Sequence, residues 1–241
     1  MNSNNNFRQV FGNKPVFGML HLSGEDPVQQ AIKELRIFEQ EGIDAVIVEN
    51  YYGSKQDVVK TLDAISCINT KVIVGVNVLP NEFTESFSLA QKYGARFVQL
   101  DYVSGRYFEG TFDSDSYKLI REKFPEILVL GGVHPKYYTP LTDSNLEFDL
   151  RQGMQRAEAI VVTGNETGKE TPLHKIKFFR QVLGNHSLII GAGITQKNAY
   201  NQLQIADGVI VGTGLKYDGI TQNPVERNRV KKLMNVIRDL R

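Results

Sequence analysis

One pattern recurs eight times along the 241 residues and limits the folds that this chain can adopt. A short apolar run, rich in β-branched residues, is followed by a segment with the apolar spacing of a helix. Strands that are apolar on both faces are expected in a parallel sheet covered by helices, and the alternation is typical of α/β proteins. The eight runs lie at residues 15–21, 45–50, 71–77, 96–101, 127–133, 159–163, 187–191 and 208–211.

Eight units in a chain of this length favour closure of the sheet into a (β/α)8 TIM barrel, which typically takes about 250 residues. An open doubly wound sheet is the alternative, but it usually has a glycine-rich nucleotide loop after its first strand. Here the first strand ends in Met19, Leu20 and His21. We predict one barrel domain over residues 13–241 and, before it, a flexible N-terminal extension over the asparagine-rich residues 1–12.

Capping residues support the expected helices. Asp26 followed by Pro27 is typical of a helix start, Gly42 of a helix end, and Ser54 of an N-cap. We expect Thr195 to cap the helix that follows the seventh strand. Further helices are expected near residues 81–93, 114–123, 143–156, 171–183, 195–204 and 223–237.

Composition restricts the partners and the compartment. The net charge of +1 gives no bulk field that would favour nucleic acid or an anionic membrane. The start of the chain lacks the apolar run of a secretion signal, and no stretch is long and apolar enough to span a bilayer. The single cysteine, Cys67, excludes an intramolecular disulfide and a cysteine-based zinc site. We expect a cytoplasmic homo-oligomer without a cofactor, and peripheral membrane association stays open.

Two glycine-rich segments follow the seventh and eighth predicted strands. The first glycine loop, residues 191–195, reads GAGIT, and the second glycine loop, residues 212–216, reads GTGLK. Glycine lets backbone amides approach an anion, a helix N-terminus adds free donors, and barrels commonly bind phosphate after these two strands. Plain strand-to-helix turns are the alternative. The pattern predicts a phosphate site made by Gly191, Ala192, Gly193, Gly212, Thr213 and Lys216.

Polar side chains stand at the ends of the other predicted strands, where a barrel has its pocket. Charged groups in such places are costly unless they are paired or functional. As catalytic residues we expect His21, Glu49, Asp101 and Lys136. As substrate-binding residues we expect Asn50, Asn77, His134, Thr163, Asn165, Thr167 and Gly168.

Several of these residues also have a purely structural interpretation. His21 either caps the barrel by bonding a carbonyl or takes part in catalysis. Glu49 and Asp101 either pair with Lys136 or work as general acid and base, which requires a pKa near the working pH. A divalent metal held by His21, Glu49 and His134 would match no compact ligand motif, so no metal is predicted. Two carboxylates and a lysine at one pocket suit proton transfer next to a carbonyl, or chemistry at a sugar carbon.

The sequence also resembles a known family, the BtpA/SgcQ barrel proteins. The resemblance covers nearly the whole chain and includes both glycine loops. It implies a (β/α)8 fold of the ribulose-phosphate-binding type. One branch of the family is linked to photosystem I biogenesis at a membrane surface, and another lies near sugar-metabolism genes without a settled reaction. The matching stretches are GMLHL at 18–22, GIDA at 42–45, VENY at 48–51, GVNVL at 75–79, TGNETG at 163–168 and ADGVIVGT at 206–213.

At three positions the chain departs from the pattern of that family. Gln99 stands where members often have arginine, and Gly132 and Tyr137 differ around the fifth strand. The similar phosphoribosylanthranilate isomerases use a cysteine base on the first strand, where this chain has Met19 and His21. If the differing positions take part in the chemistry, this chain has another substrate or a reduced activity.

Two functions follow as hypotheses. The first is an enzyme that uses acid/base chemistry on a phosphorylated sugar or nucleotide-like small molecule, by isomerisation, aldol-type cleavage or glycosidic cleavage. The second is a non-catalytic assembly or regulatory factor that retains a phosphate-binding pocket. Polar residues at most strand ends favour the first hypothesis, whereas the departures around the fifth strand favour the second.

Overall fold

The computed structural model describes residues 3–241, with side chains from residue 7 onward, and confirms the predicted (β/α)8 fold. Eight parallel strands close into a barrel, and two further strands of two residues form a hairpin, β5 with β6, outside it. In chain order the strands are β1 (Val16–Leu20), β2 (Ala45–Glu49), β3 (Ile73–Asn77), β4 (Phe97–Leu100), β5 (Arg106–Tyr107), β6 (Gly110–Thr111), β7 (Leu128–Gly132), β8 (Ala159–Val162), β9 (Ser187–Ile190) and β10 (Gly208–Val211).

Helices follow the barrel strands and cover the outside of the sheet. Asp26 caps α2 by accepting a hydrogen bond from the amide of Gln29, and Ser54 forms a capping box with Asp57 at the start of α3. No helix within residues 3–241 is long and apolar enough to span a membrane. The helices are α1 (Ser3–Phe11), α2 (Pro27–Glu41), α3 (Lys55–Ser66), α4 (Phe83–Tyr93), α5 (Ser114–Lys123), α6 (Leu146–Met154), α7 (Leu173–Leu183), α8 (Ala199–Leu203) and α9 (Arg227–Arg238).

The order of the strands around the barrel decides which loops face each other. The order is β1, β10, β9, β8, β7, β4, β3, β2, and β2 closes onto β1. Strands four places apart in a ring of eight lie on opposite sides. The loop after β10 therefore faces the loop after β4, and the loop after β9 faces the loop after β3.

The N-terminal segment differs from its prediction. Residues 1–12 were expected to be a flexible extension, but α1 spans Ser3–Phe11, while residues 1–2 lie outside the described part of the chain. Phe7 and Phe11 of α1 are buried, and the ring of Phe11 lies 5.0 Å from that of Phe17 and 5.3 Å from that of Phe97. These rings belong to one buried cluster with side chains of the barrel strands. The burial of Phe7 and Phe11 therefore holds α1 on the barrel, although most of the residues around them are polar.

The helix after the first glycine loop also begins later than predicted. α8 starts at Ala199 and has five residues. The side chain of Asn198 accepts a hydrogen bond from the amide of Thr195 over 2.8 Å and donates one to the carbonyl of Gly193 over 2.9 Å. These bonds hold the intervening residues in a turn, so Thr195 does not cap a helix and no helix N-terminus reaches the first glycine loop.

Candidate functional site

A cavity of about 510 Å³ opens at the carboxyl ends of the barrel strands. Its size is within the range of small-molecule sites, about 300 to 1,000 Å³. It collects most of the residues that the sequence singled out. The predicted residues in its wall are His21, Glu49, Asp101, Lys136, Thr163, Thr167, Gly168, Gly191, Ala192, Gly193, Gly212 and Thr213.

Two carboxyl groups lie in this cavity on either side of an asparagine. Asn77 ends β3 and is fully buried between β2 and β4. Its Nδ2 donates to Oε1 of Glu49 over 2.7 Å and to Oε1 of Gln99 over 2.8 Å. Asp101 accepts a hydrogen bond over 2.7 Å from the hydroxyl of Tyr138. The sequence assigned Asn77 to substrate binding, whereas here its amide group orients the catalytic candidates.

Burial sets the protonation of both carboxyl groups. Removal from water raises the pKa of Glu49 to about 7, and the negative charge of Asp101 acts in the same direction. The positive charge of Lys136 and the hydrogen bond from Asn77 oppose that rise. Burial also raises the pKa of Asp101. Glu49 therefore exchanges a proton close to neutral pH, as a general acid or base must.

His21 stays neutral beside Glu49. Its Nε2 lies 3.9 Å from Oε2 of Glu49. Burial, followed by the charges of Lys216 and Lys136, lowers the pKa of His21 well below its usual value. In the part of the chain with described side chains, Nδ1 of His21 has no hydrogen-bond partner. A Cβ on Gly212 would lie 2.5 Å from Cε1 of the ring, so the glycine makes room for the histidine.

Lys136 supplies a cation that is not neutralised in the cavity. Its backbone amide donates to Oγ1 of Thr163 over 2.8 Å, which fixes the start of the loop after β7. Among the described residues its ammonium group has no ion-pair or hydrogen-bond partner, and it lies 5.8 Å from the centre of the Tyr137 ring. The ion pair of Lys136 with Glu49 or Asp101, considered from the sequence, does not form. An anionic ligand would meet an available positive charge.

The two glycine loops need their glycines for close packing. Gly193 has a φ of +69°, and a Cβ there would lie 2.1 Å from the carbonyl oxygen of Lys169. A Cβ on Gly214 would lie 2.2 Å from the carbonyl oxygen of Ile194. The first glycine loop therefore packs against the loop after β8 on one side and against the second glycine loop on the other.

Backbone donors in these loops remain available. The amide of Gly191 donates to the carbonyl of Val162 over 2.8 Å. The described residues offer no acceptor to the amides of Gly193, Thr213 and Gly214, all in the cavity wall. Unpaired amides at a cavity are well suited to the oxygens of an anion.

Lys216, predicted to contact phosphate, is turned away from the cavity. After the 3₁₀ turn Thr213–Leu215 its side chain runs beneath α2, and the ammonium lies 2.9 and 2.8 Å from the two carboxylate oxygens of Glu34. The amide of Val225 also donates to Glu34, over 3.0 Å. Lys216 therefore anchors the second glycine loop to the helical layer, and the prediction that it lines the phosphate site is wrong.

Besides Asn77, three predicted substrate-binding residues lie outside the cavity wall. Asn50 bonds the backbone of Leu79 through both ends of its amide, at 3.2 and 2.8 Å. His134, with a φ of +45°, places Nε2 2.7 Å from Oδ2 of Asp149 on α6. Asn165 is exposed. Asn50 and His134 brace loops and do not line the cavity, because their side chains bond Leu79 and Asp149.

Tyr51 and Tyr138 also line the cavity, although the sequence did not predict them as site residues. Tyr51 follows Glu49 by two positions, and its hydroxyl donates to Oγ1 of Thr167 over 3.0 Å. Tyr138 holds Asp101 by the hydrogen bond from its hydroxyl group. Their partners are 116 and 37 residues away, so spacing gave no signal. Within the described residues no group of three His, Cys, Asp or Glu is arranged to hold a metal ion.

Comparison with known proteins places the chain in a family. Residues 13–239 match the BtpA family. An uncharacterized protein of Methanocaldococcus jannaschii is 30% identical over 96% of this chain and 98% of its own length, and the photosystem I biogenesis protein BtpA of Synechocystis sp. is 23% identical over 96% and 90%. Phosphoribosyl anthranilate isomerase from Thermus thermophilus shares the fold, with a TM-score of 0.63 at 13% identity over 94% of this chain and 100% of that one. The resemblance seen in the sequence is confirmed, and the chain belongs to the BtpA family.

Proposed function

We propose that the protein is an enzyme that carries out acid/base chemistry on a phosphorylated, sugar-like small molecule bound in the cavity. One observation carries the proposal. Glu49, whose pKa is about 7, shares a cavity with the unpaired ammonium of Lys136 and with the free amides of both glycine loops. A proton-exchanging group, a cation and an anion-binding wall are what such a reaction requires.

Binding would begin at the glycine loops. The unpaired amides of Gly193, Thr213 and Gly214 would donate to the phosphate oxygens, which removes the cost of leaving these groups without an acceptor. Lys136 adds a positive charge in the same cavity. A helix N-terminus, expected from the sequence, is not needed for this mode of binding.

The chemistry would take place next to the two carboxyl groups. Glu49 accepts or donates the proton, while Asn77, which also donates to Gln99, keeps its position fixed. His21 is neutral and faces the same space, so it can orient a substrate hydroxyl without adding charge. Lys136 stabilises negative charge on a substrate oxygen. Isomerisation, aldol-type cleavage and glycosidic cleavage all use such a set of groups.

A thermal-shift experiment with inorganic phosphate and a panel of sugar phosphates tests the binding step. A ligand at ten times its dissociation constant stabilises a protein by about 1.4 kcal/mol. Lys136→Met should weaken the shift, whereas the control Lys177→Met, at an exposed position on α7, should leave it unchanged. If neither phosphate nor any sugar phosphate raises the melting temperature, the proposed site is wrong.

Turnover of the ligands found in that panel tests the catalytic step. Glu49→Gln keeps the acceptor for Asn77 but cannot exchange a proton, so we expect at least a hundredfold loss of turnover with binding retained. Unchanged turnover would remove Glu49 from the catalytic residues. Ligand binding without turnover in the wild-type protein would favour the regulatory or assembly role.

A further inference from the structure

The cavity wall opposite the glycine loops is apolar and aromatic. The two glycine loops follow β9 and β10, which lie across the barrel from β3 and β4. The loops after β3 and β4, together with the adjoining loop after β7, contribute what we call the tyrosine wall, made of Leu79, Pro80, Tyr102, Tyr137 and Tyr138. A ligand whose phosphate lies on the glycine loops would therefore point its other end at aromatic rings.

Two rings of this wall, those of Tyr102 and Tyr138, are held in place by neighbouring aromatic rings. The centroids of Tyr102 and Tyr138 are 5.0 Å apart at an angle of 66°, and those of Tyr102 and Tyr107 are 4.9 Å apart. Tyr102 and Tyr107 are buried, and Tyr107 also donates to the carbonyl of Ser104 over 2.8 Å. Because little ordering would be needed when a ligand binds, the wall is preorganised for a flat partner.

Three tyrosine hydroxyl groups in the cavity wall are already bonded within the protein. Tyr138 donates to Asp101, Tyr51 donates to Oγ1 of Thr167, and the hydroxyl of Tyr137 accepts the amide of Thr167 over 3.0 Å. A bare sugar needs free hydrogen-bonding groups, whereas a flat apolar group needs ring faces. The wall offers mainly ring faces.

The two carboxyl groups lie between the glycine loops and the wall. Asp101 follows β4 on the side of the wall, whereas Glu49 ends β2, which only β1 separates from β10. His21, which follows β1, contacts both Glu49 and Gly212. A ligand that reached both the loops and the rings would place its middle part beside these carboxyl groups. The volume of about 510 Å³ admits a ligand of three such parts.

We infer that the ligand is a sugar phosphate that carries, on the far side of the sugar, a flat ring able to stack, the chemical class of a nucleoside 5′-monophosphate. The phosphate lies on the glycine loops, the sugar lies beside Glu49 and Asp101, and the ring stacks on the tyrosine wall. This inference rests on the proposed function, which already requires a phosphate group on the ligand. It assigns the group at the other end of that ligand.

Calorimetric titrations of ribose 5-phosphate, AMP and UMP test the inference. Base stacking on an aromatic side chain commonly amounts to about tenfold or more in affinity. We expect AMP or UMP to bind at least tenfold more tightly than ribose 5-phosphate. Tyr138→Leu and Tyr138→Phe both lose the hydrogen bond to Asp101, so a change in the affinity for ribose 5-phosphate that they share reports that loss. Only Tyr138→Leu, which lacks the ring, should also remove the advantage of the mononucleotides.

Tyr137 provides a second pair of variants because its side chain is exposed and tolerates replacement. Tyr137→Leu should lower the affinity for the mononucleotide, and Tyr137→Phe should not. Equal affinities for ribose 5-phosphate and the mononucleotides, or leucine variants without effect, would overturn this inference and leave the proposed function standing. Binding of none of the three compounds would overturn both.

Discussion

Asn77 donates a hydrogen bond from Nδ2 to Oε1 of Glu49 over 2.7 Å, and the register of β2 against β3 pairs the two residues directly. Both side chains are buried. The bond favours the ionised carboxylate, whereas burial favours the protonated form, and burial is the larger of the two effects. The protonation of Glu49 near neutral pH therefore depends on a contact that the barrel register provides.

Removing the donor should raise the pKa of Glu49 further. In Asn77→Ala the carboxylate loses a hydrogen bond, and bonds to charged groups are worth about 1.5 to 3 kcal/mol, so we expect a rise of about one pH unit or more. An NMR titration of the Glu49 side-chain carbon measures it. Asn201→Ala, at an exposed position, is the control. A pKa that stays the same or falls would show that Asn77 does not stabilise the carboxylate.

Glu49→Gln should stabilise the protein at pH values above 4.5 and have no effect below that pH. Folding raises the pKa of Glu49 from its usual 4.5 to about 7, so the folded state holds the proton more tightly. Below pH 4.5 both states are protonated and Glu49 has no cost. As the pH rises from 4.5 to 7 the unfolded state ionises first, and the cost reaches about 3 kcal/mol at most.

Urea denaturation at pH 4.5 and at pH 8 measures this effect. The gain from Glu49→Gln should appear at pH 8 and be nearly absent at pH 4.5. Glu122→Gln, at an exposed position on α5, should change the free energy of unfolding at neither pH. An equal gain at both pH values would mean that the substitution acts through packing rather than through the charge.

The barrel itself could be predicted from the sequence because its signal is local. Each strand is an apolar run, so the eight predicted runs overlap the eight barrel strands. The position of the carboxyl groups at one rim could also be predicted, since Glu49 and Asp101 come directly at the end of such runs and parallel strands end at one rim. The place of the two glycine loops in the cavity wall followed from their position after the last two barrel strands.

Side-chain directions in the loops could not be predicted. His134 has a φ of +45° and faces α6, and Lys216 follows a 3₁₀ turn and faces α2. Such backbone dihedrals decide on which side of the barrel wall a side chain lies, and no spacing rule encodes them. The partner of Lys216 is Glu34, 182 residues away. The same limit hid the hydrogen bond from Tyr138 to Asp101.

Loss of the Lys216 ammonium should destabilise the protein rather than only weaken binding. Lys216 and Glu34 are both buried, and Glu34 would keep its charge without a partner in Lys216→Met. Breaking one side of a buried pair costs about 3 to 5 kcal/mol. Thermal or urea unfolding measures it, with Lys177→Met as the exposed control.

The double variant Lys216→Met/Glu34→Leu separates the two contributions. It removes both charges, so we expect it to regain a large part of the lost stability. The amide of Val225 loses its acceptor in this variant, and for that reason the recovery should be incomplete. A double variant that is less stable than Lys216→Met would contradict the charge argument.

The N-terminal helix should contribute to the stability of the whole barrel. Phe11 is buried against Phe17 and Phe97, and Phe→Ala substitutions in cores cost about 3 to 5 kcal/mol. We expect Phe11→Ala to lower the urea midpoint accordingly. Phe108→Ala, at a ring that is 71% exposed, should lower it little. A flexible extension would predict no change for Phe11→Ala. Equal midpoints for the wild type and this variant would show that α1 does not contribute to the stability of the barrel.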